Sequence, residues 1–336
     1  MAAKSVPPAS ATTLKTAVPT SSKVAKKTQS KVPAAKKQKT TERYDASSVP
    51  VSKFCDARSK IMWDFVCKRK PLSERVIDVE DYKKIGVYEL LNDRKLQGTV
   101  TMPKHYNKEI VLEFYTNLKA DISDVDSPFY HKVTVRFYEF EFSPKLISDY
   151  LNCKKVKSQR KRELDVILDM NKVIVELTAQ STSVWPSNNK VPSSILSVKY
   201  SALHKIALTN WLPSLHKMSV TKDMAYLLYM IGTGEKFDMG KLLFEVIVYN
   251  AEQETTYGIL PLPSLIYEVL MFQKNILGAD EMMEVLPPPL KVSHKLFEGK
   301  HVPNVKKATA TSSTVPETVF TSTNNHADLV QFLSLI

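Results

Sequence analysis

Tyr200-Ser-Ala-Leu-His-Lys-Ile-Ala-Leu-Thr-Asn-Trp-Leu-Pro213 sits in the most densely apolar part of this chain, which runs from residue 194 to 253. Leu196, Tyr200, Leu203 and Ala207 step by four, three and four, the spacing of one helix face. Ser193 or Ser194 is placed to cap the first turn, because a short hydroxyl accepts a bond from an unpaired amide there. Pro213 closes the segment, since proline disfavours helical geometry in the residue before it. Outward from this helix, a second follows Thr221, with Met224, Leu227, Leu228 and Ile231 inward, and stops at Gly232-Thr-Gly234. A third starts near Asp238, carries Leu243, Val246 and Ile247 inward, and fades after Asn250. Pro261-Leu-Pro263-Ser264 opens a fourth, with Leu265, Ile266, Val269 and Leu270 on its apolar side. The predicted class is mainly α (α+β): a helical globular body with one small β-hairpin, flanked by disordered tails.

Towards the N-terminus the body opens with a helix over residues 53–69, where Phe54, Ala57, Ile61 and Phe65 share a face and Pro71 ends it. Glu74 to Val79 reads as a short strand or extended lead-in. Helices follow over 80–91 and over 103–118, the latter with Tyr106, Ile110, Phe114 and Leu118 in line. His131 to Phe142 supplies the β signal, with Val133 and Val135 alternating against Thr134 and Arg136, although neither Gly nor Asn marks a turn. Ser143-Pro144 caps a helix through Leu151, and another runs over 161–178. Pro287-Pro-Pro289 forms a stiff extended spacer. Residues 49–305 thus read as one body, divisible near 154–162.

The formal charge of +12 is concentrated. Residues 1–41 hold nine lysines and no acid, and Lys154, Lys155, Lys157, Arg160, Lys161 and Arg162 crowd a single run. Without these two places the chain is close to neutral. Residues 1–48 are Ala, Ser, Thr, Pro and Lys with little apolar surface to offset ordering entropy, which predicts a disordered tail. Residues 306–336 read as a second, Ser/Thr-rich tail, ending in an amphipathic 327–336 segment. Lys23, Lys26, Lys27, Lys31, Lys36, Lys37 and Lys39 are the candidates for nucleic-acid contact or nuclear import, with Lys36-Lys-Gln-Lys39 the import-like cluster. The 154–162 run is a second basic patch, read foremost as a solvated loop because no aromatics interleave to stack on bases.

Three widely spaced cysteines, Cys55, Cys67 and Cys153, argue against a disulfide framework and fit a reducing compartment. The longest clean apolar run, Met224 to Ile231, is far short of a membrane span. With no apolar leader, the expectation is a soluble, intracellular chain.

Catalytic and metal motifs are missing from the sequence. The cysteines are too far apart for a zinc knuckle, and His204 and His216 flank a helix break, two ligands that do not make a metal site. Gly232-Thr-Gly234 lacks the lysine and hydroxyl of a phosphate loop. Trp211, between apolar helices, reads as core. The expectation is a protein that is not an enzyme and needs no cofactor or metal.

Val198-Lys-Tyr200, Leu203-His204, Asn210-Trp-Leu-Pro213 and His216 together resemble the plant retrotransposon envelope-like family, also described as a plant transposon protein domain. The resemblance continues through Gly232, Phe237-Asp238, Gly240, Pro263-Ser-Leu-Ile266 and Leu296-Phe297 to His301-Val-Pro303. In the first half it takes in Glu74-Arg75, Glu113-Phe114, Asn117-Leu118, Val135-Arg136 and Phe142-Ser-Pro144, and so spans about residues 52–305. It implies a protein encoded beside the polymerase genes of Athila-like LTR elements, or a host copy of one, with no catalytic residues. Family hairpins usually carry glycine after the Val-Arg pair; Phe137 stands there, which predicts a shifted turn. An envelope role would need membrane anchorage, and no apolar run in the sequence is long enough to span a bilayer. The expected function is a non-enzymatic interaction module in the nucleus, with the cytoplasm as alternative. The alternative function is packaging of DNA or RNA through the basic tail, or capsid-like self-association.

Overall fold

The computed structural model describes residues 53–153 and 169–296. The basic tail, the 154–162 run, the start of the 161–178 helix and the 306–336 segment lie outside the described residues.

In chain order the helices are α1 (Ala57–Val66), α2 (Val79–Lys84), α3 (Val87–Asp93), α4 (Gly98–Thr101), α5 (Lys108–Asn117), α6 (Pro144–Tyr150), α7 (Met170–Leu177), α8 (Val198–Asn210), α9 (Lys222–Thr233), α10 (Met239–Ala251) and α11 (Pro263–Gln273). The strands are β1 (Lys70–Leu72), β2 (Lys132–Val135), β3 (Tyr138–Glu141), β4 (Lys190–Pro192), β5 (Ser219–Thr221) and β6 (Ile259–Pro261). Among the described residues they form three two-stranded sheets: β1 with β6 in parallel, β2 with β3 and β4 with β5 antiparallel. The protein is mainly α with some β, and carries two small sheets besides the expected hairpin.

The 194–253 stretch is the middle of the core. Tyr200, Leu203, Ile206, Ala207 and Trp211 are all buried, and α8 packs on α3, α4 and α9. Its start differs from expectation. Ser193–Ile195 is a 3-10 turn, Leu196 is buried ahead of the helix, and Ser197 holds the cap position. The next two helices start where expected, because their caps are made locally: Thr221 Oγ1 accepts from Met224 N, and Asp238 Oδ1 accepts from Lys241 N. α9 ends at Gly234, which takes φ 95, and the Arg94 guanidinium donates to the carbonyls of Gly234 and Glu235 there. Glycine also lets helices touch. A Cβ at Gly240 would collide with Ser148 Oγ and the Pro144 carbonyl, which is why α10 and α6 can pack so closely.

Three further expectations fail, each for an identifiable reason. α1 buries Ser59, Met62 and Val66 and leaves Ile61 59% exposed. Phe54 precedes the helix, which is capped by Asp56 accepting from Ser59 N at 2.7 Å, so the supposed stripe loses its first member. The 80–91 helix is two helices, broken where Gly86 takes φ 69. The 103–118 helix begins only at Lys108, because Asn107 caps it by accepting from Ile110 N, while Tyr106 pairs with Glu284. Residues 74–78 are the extended lead-in to α2, one of the two readings expected of this stretch, with Ile77 bridged to Leu290. The strand in this region is Lys70–Leu72, with Pro71 inside it, paired to Ile259–Pro261.

The hairpin turn keeps its place despite Phe137. Val135 pairs with Tyr138, so Arg136 and Phe137 alone form the turn, at φ 52 and 66. A two-residue turn with both φ positive is the geometry that suits β twist and favours Asn or Gly. Here Glu113 of α5 holds it. Its Oε1 accepts from Arg136 N at 2.6 Å, and its Oε2 pairs with Arg136 Nε at 3.2 Å. Glu281 pairs with the same guanidinium from the other side.

Candidate functional site

Several buried polar groups converge on the start of α11. Leu262 takes left-handed backbone, φ 55 and ψ 43, and turns the chain from β6 into the helix. That turn leaves the first-turn amides without helical partners. Glu74, buried at 3% exposure, satisfies two of them: Oε2 accepts from Ser264 N at 3.0 Å and Oε1 from Leu265 N at 2.8 Å. Burial pushes the Glu74 carboxyl up to about 7, against the opposing pull of those N–H groups. Ser264 Oγ in turn accepts from Lys104 N at 2.7 Å.

A second buried polar group lies beside it. Asn210, at the end of α8, accepts from Arg75 N at 3.1 Å and donates to the Arg75 and Thr99 carbonyls at 2.9 and 2.8 Å. Trp211 Nε1 donates to Thr99 Oγ1 at 2.8 Å, so its indole is a core group with its polar edge satisfied. Between these residues and Tyr150 is a cavity of about 20 Å³, room for about one water. At its mouth Glu268 Oε2 accepts from Lys104 Nζ at 2.7 Å and from Tyr150 Oη at 3.0 Å.

Outside this node lies an open groove of about 930 Å³. Its apolar lining comes from Tyr267 and Met271 of α11 with Leu277, Met283 and Leu286; Lys104, His105 and Glu268 supply charge or polarity. Pro287–Pro289 form one wall. That wall is tied down at both ends and in the middle. Glu284 N donates to the Tyr106 carbonyl at 2.7 Å, Leu290 N to the Val76 carbonyl at 2.7 Å, and Arg75 Nε to the Pro288 carbonyl at 2.9 Å. The proline run is therefore the rigid edge of a binding-sized cleft, more than a spacer.

Residues 92–273, over half of the chain, match the family model described as "Putative plant retrotransposon-related domain". The chain belongs to this plant retrotransposon-related family. Neither a curated protein nor a solved structure matches it. In this retrotransposon-related chain the matched range contains Asn210, Ser264 and Glu268, while Glu74 and the proline wall lie on either side of it.

The candidate lysines Lys23 to Lys39 and the Lys154–Arg162 patch all lie outside the described residues. His204 is buried in α8 and pushed down to about 4 by that burial, while His216 is exposed in the loop before β5. Among the described residues no group of three His, Cys, Asp or Glu side chains could hold a metal ion, and no helix is long and apolar enough to cross a membrane. Cys55, Cys67 and Cys153 are free thiols, with burial pushing Cys153 up to about 12. The groove has no local sequence signal. Its lining comes from residues 76 to 289, brought together by pairings that span the body. Glu74-Arg75, Asn210-Trp211 and Pro263-Ser264 stand out in the sequence as family-like pieces, and they prove to be one hydrogen-bonded unit.

Proposed function

We propose that this retrotransposon-related protein works by binding and not by catalysis, and that the groove between α11 and the proline wall receives a segment of a partner protein. The observation that carries the reading is the groove itself. It is open, of binding size and rigid on its proline side, and Met271 and Met283 give an adaptable apolar surface within it. The buried polar groups beneath it are consistent with this role, since Glu74 and Asn210 both tie distant backbone segments together and so fix the shape of the groove. The site of action is the nucleus, a reading supported by Lys36-Lys-Gln-Lys39.

The test is photo-crosslinking in plant cells, with a photoreactive side chain in place of Met271 in a tagged full-length chain. One discrete partner, lost when Leu286→Glu is added, is the expected result. Crosslinks that are indifferent to Leu286→Glu would remove the groove from the reading. A tag that stays out of nuclei in the intact chain would remove the nuclear part.

A second reading, sequence-independent packaging of nucleic acid, is favoured by the nine lysines of residues 1–41. Each phosphate they neutralise on duplex DNA steepens the salt dependence of binding by about 0.9 in log–log slope. Deletion of residues 1–41 that leaves that slope unchanged would end this second reading.

A further inference from the structure

The charge of the described body is lopsided. Residues 53–70 hold six basic and two acidic residues, whereas acids outnumber bases in the rest of the described residues. Most of this charge is at the surface around α1. Lys53, Lys60, Lys68 and Lys70 are exposed, and among the described residues Lys60, Lys68 and Lys70 form no ion pair. The acids nearby are few: Asp56 is paired with Lys119, Arg58 faces Glu252, and Asp64 lies exposed on α1.

Aromatic and apolar groups interleave with these cations. Trp63 is half-buried, with the Lys53 ammonium 3.5 Å from its ring centroid and Phe54 5.7 Å away. Ile61 is 59% exposed on the solvent face of α1. Tyr257 is 84% exposed and precedes Ile259 by two residues; because Ile259 lies opposite Lys70 in the parallel β1–β6 pair, Tyr257 stands at the same end of that pair as Lys68 and Lys70. Lys53 and Phe54 already cover the Trp63 ring, so the open aromatic face of this cationic surface is that of Tyr257. The combination suits a strand whose phosphates and unstacked bases are both on offer. A duplex offers only the phosphates.

We infer that the outer face of α1, together with Tyr257, binds single-stranded nucleic acid. The face is independent of the groove and is formed by described residues of the folded body. An acidic protein surface is the competing occupant, and the test separates the two.

The full-length chain is titrated with a 20-nucleotide oligouridylate carrying 4-thiouridine, with a 20-base-pair duplex and with polyglutamate, over a range of salt. Ultraviolet crosslinks are expected within residues 53–70 or at Tyr257. Lys60→Gln/Lys68→Gln/Lys70→Gln should lower the log–log salt slope for the oligonucleotide by about 2, from about 0.7 per phosphate contact on a single strand. Tyr257→Ala should weaken oligonucleotide binding by about fivefold and leave duplex binding unchanged. All four positions are exposed, so unchanged melting temperatures serve as the folding control. Crosslinks confined to residues 1–52, with both variants binding the oligonucleotide as the parent does, would overturn the inference. So would loss of polyglutamate binding alone in the triple variant.

Discussion

Glu74 shows how one residue couples this fold to pH. Its carboxyl is pushed up to about 7 by burial, and Glu245, also raised by burial and against the pull of Lys241, comes to about 7 as well. A carboxyl whose folded pKa exceeds its unfolded value binds protons more tightly in the folded state. Its contribution is therefore fully present below the unfolded value of 4.5 and is lost as pH rises through about 7. Asp56 acts oppositely. Despite burial, hydrogen bonds from Lys119 and Ser59 hold it at about 2, so its contribution is lost only as pH falls through that value. His204, held down to about 4 by burial, opposes the two raised carboxyls as pH falls below its ordinary value of 6.5. Two groups outweigh one, and stability is higher on the mildly acidic side. Urea unfolding should show the chain less stable at pH 8 than at pH 5, and Glu74→Gln should remove on the order of 3 kcal/mol of that difference, whatever it does to absolute stability. An unchanged pH 5 to 8 difference in the variant would show that Glu74 does not titrate in this window.

At the scale of the element, the hairpin tests how a turn is held when its residues do not favour it. Phe137 is 57% exposed at φ 66, so its ring contributes little burial and its backbone sits where Cβ is costly. Phe137→Gly should stabilise the protein by about 0.5–1 kcal/mol in urea unfolding, the relief of strain outweighing the entropy that glycine adds to the unfolded chain. A loss of stability would mean that the ring packs in a way its exposure hides. The same contrast between local and distant control explains what could be read from sequence. α9, α10 and α11 were legible because Thr221, Asp238 and Pro263 announce their starts within one turn. β1 was not, because its partner is almost 190 residues away and nothing in Lys70-Pro-Leu72 reads as a strand. α1 was legible as a helix but not in its facing, which depends on the Asp56 cap and on Lys119 from beyond α5. For the site, Glu74, Asn210 and Ser264 are conspicuous in sequence, yet only their convergence shows that they fix the shape of a groove.

For the whole molecule, the pairings that close the body lie largely outside the family-matched range. Residues 92–273 include α4 to α11 but omit Glu74, β1, α1 and the proline wall. Cutting there would leave Ser264 N and Leu265 N buried without their acceptor and β6 without its strand. Asn210 would lose both of its bonds to Arg75, and the Asn250 and Ile259 carbonyls would lose the buried Arg69 guanidinium that links them at 2.6 Å each. Buried groups left unpaired cost about 1–3 kcal/mol apiece, so the sum is comparable to the whole stability of an ordinary domain. A fragment of residues 92–273 should therefore show no cooperative thermal transition by circular dichroism. Residues 53–296, which keep every one of these ties, should melt cooperatively at close to the temperature of the full chain. A cooperative melt of the shorter fragment would mean that the helical core stands without Glu74 and the strands around it, and that the groove is an addition to the fold and no part of what holds it together.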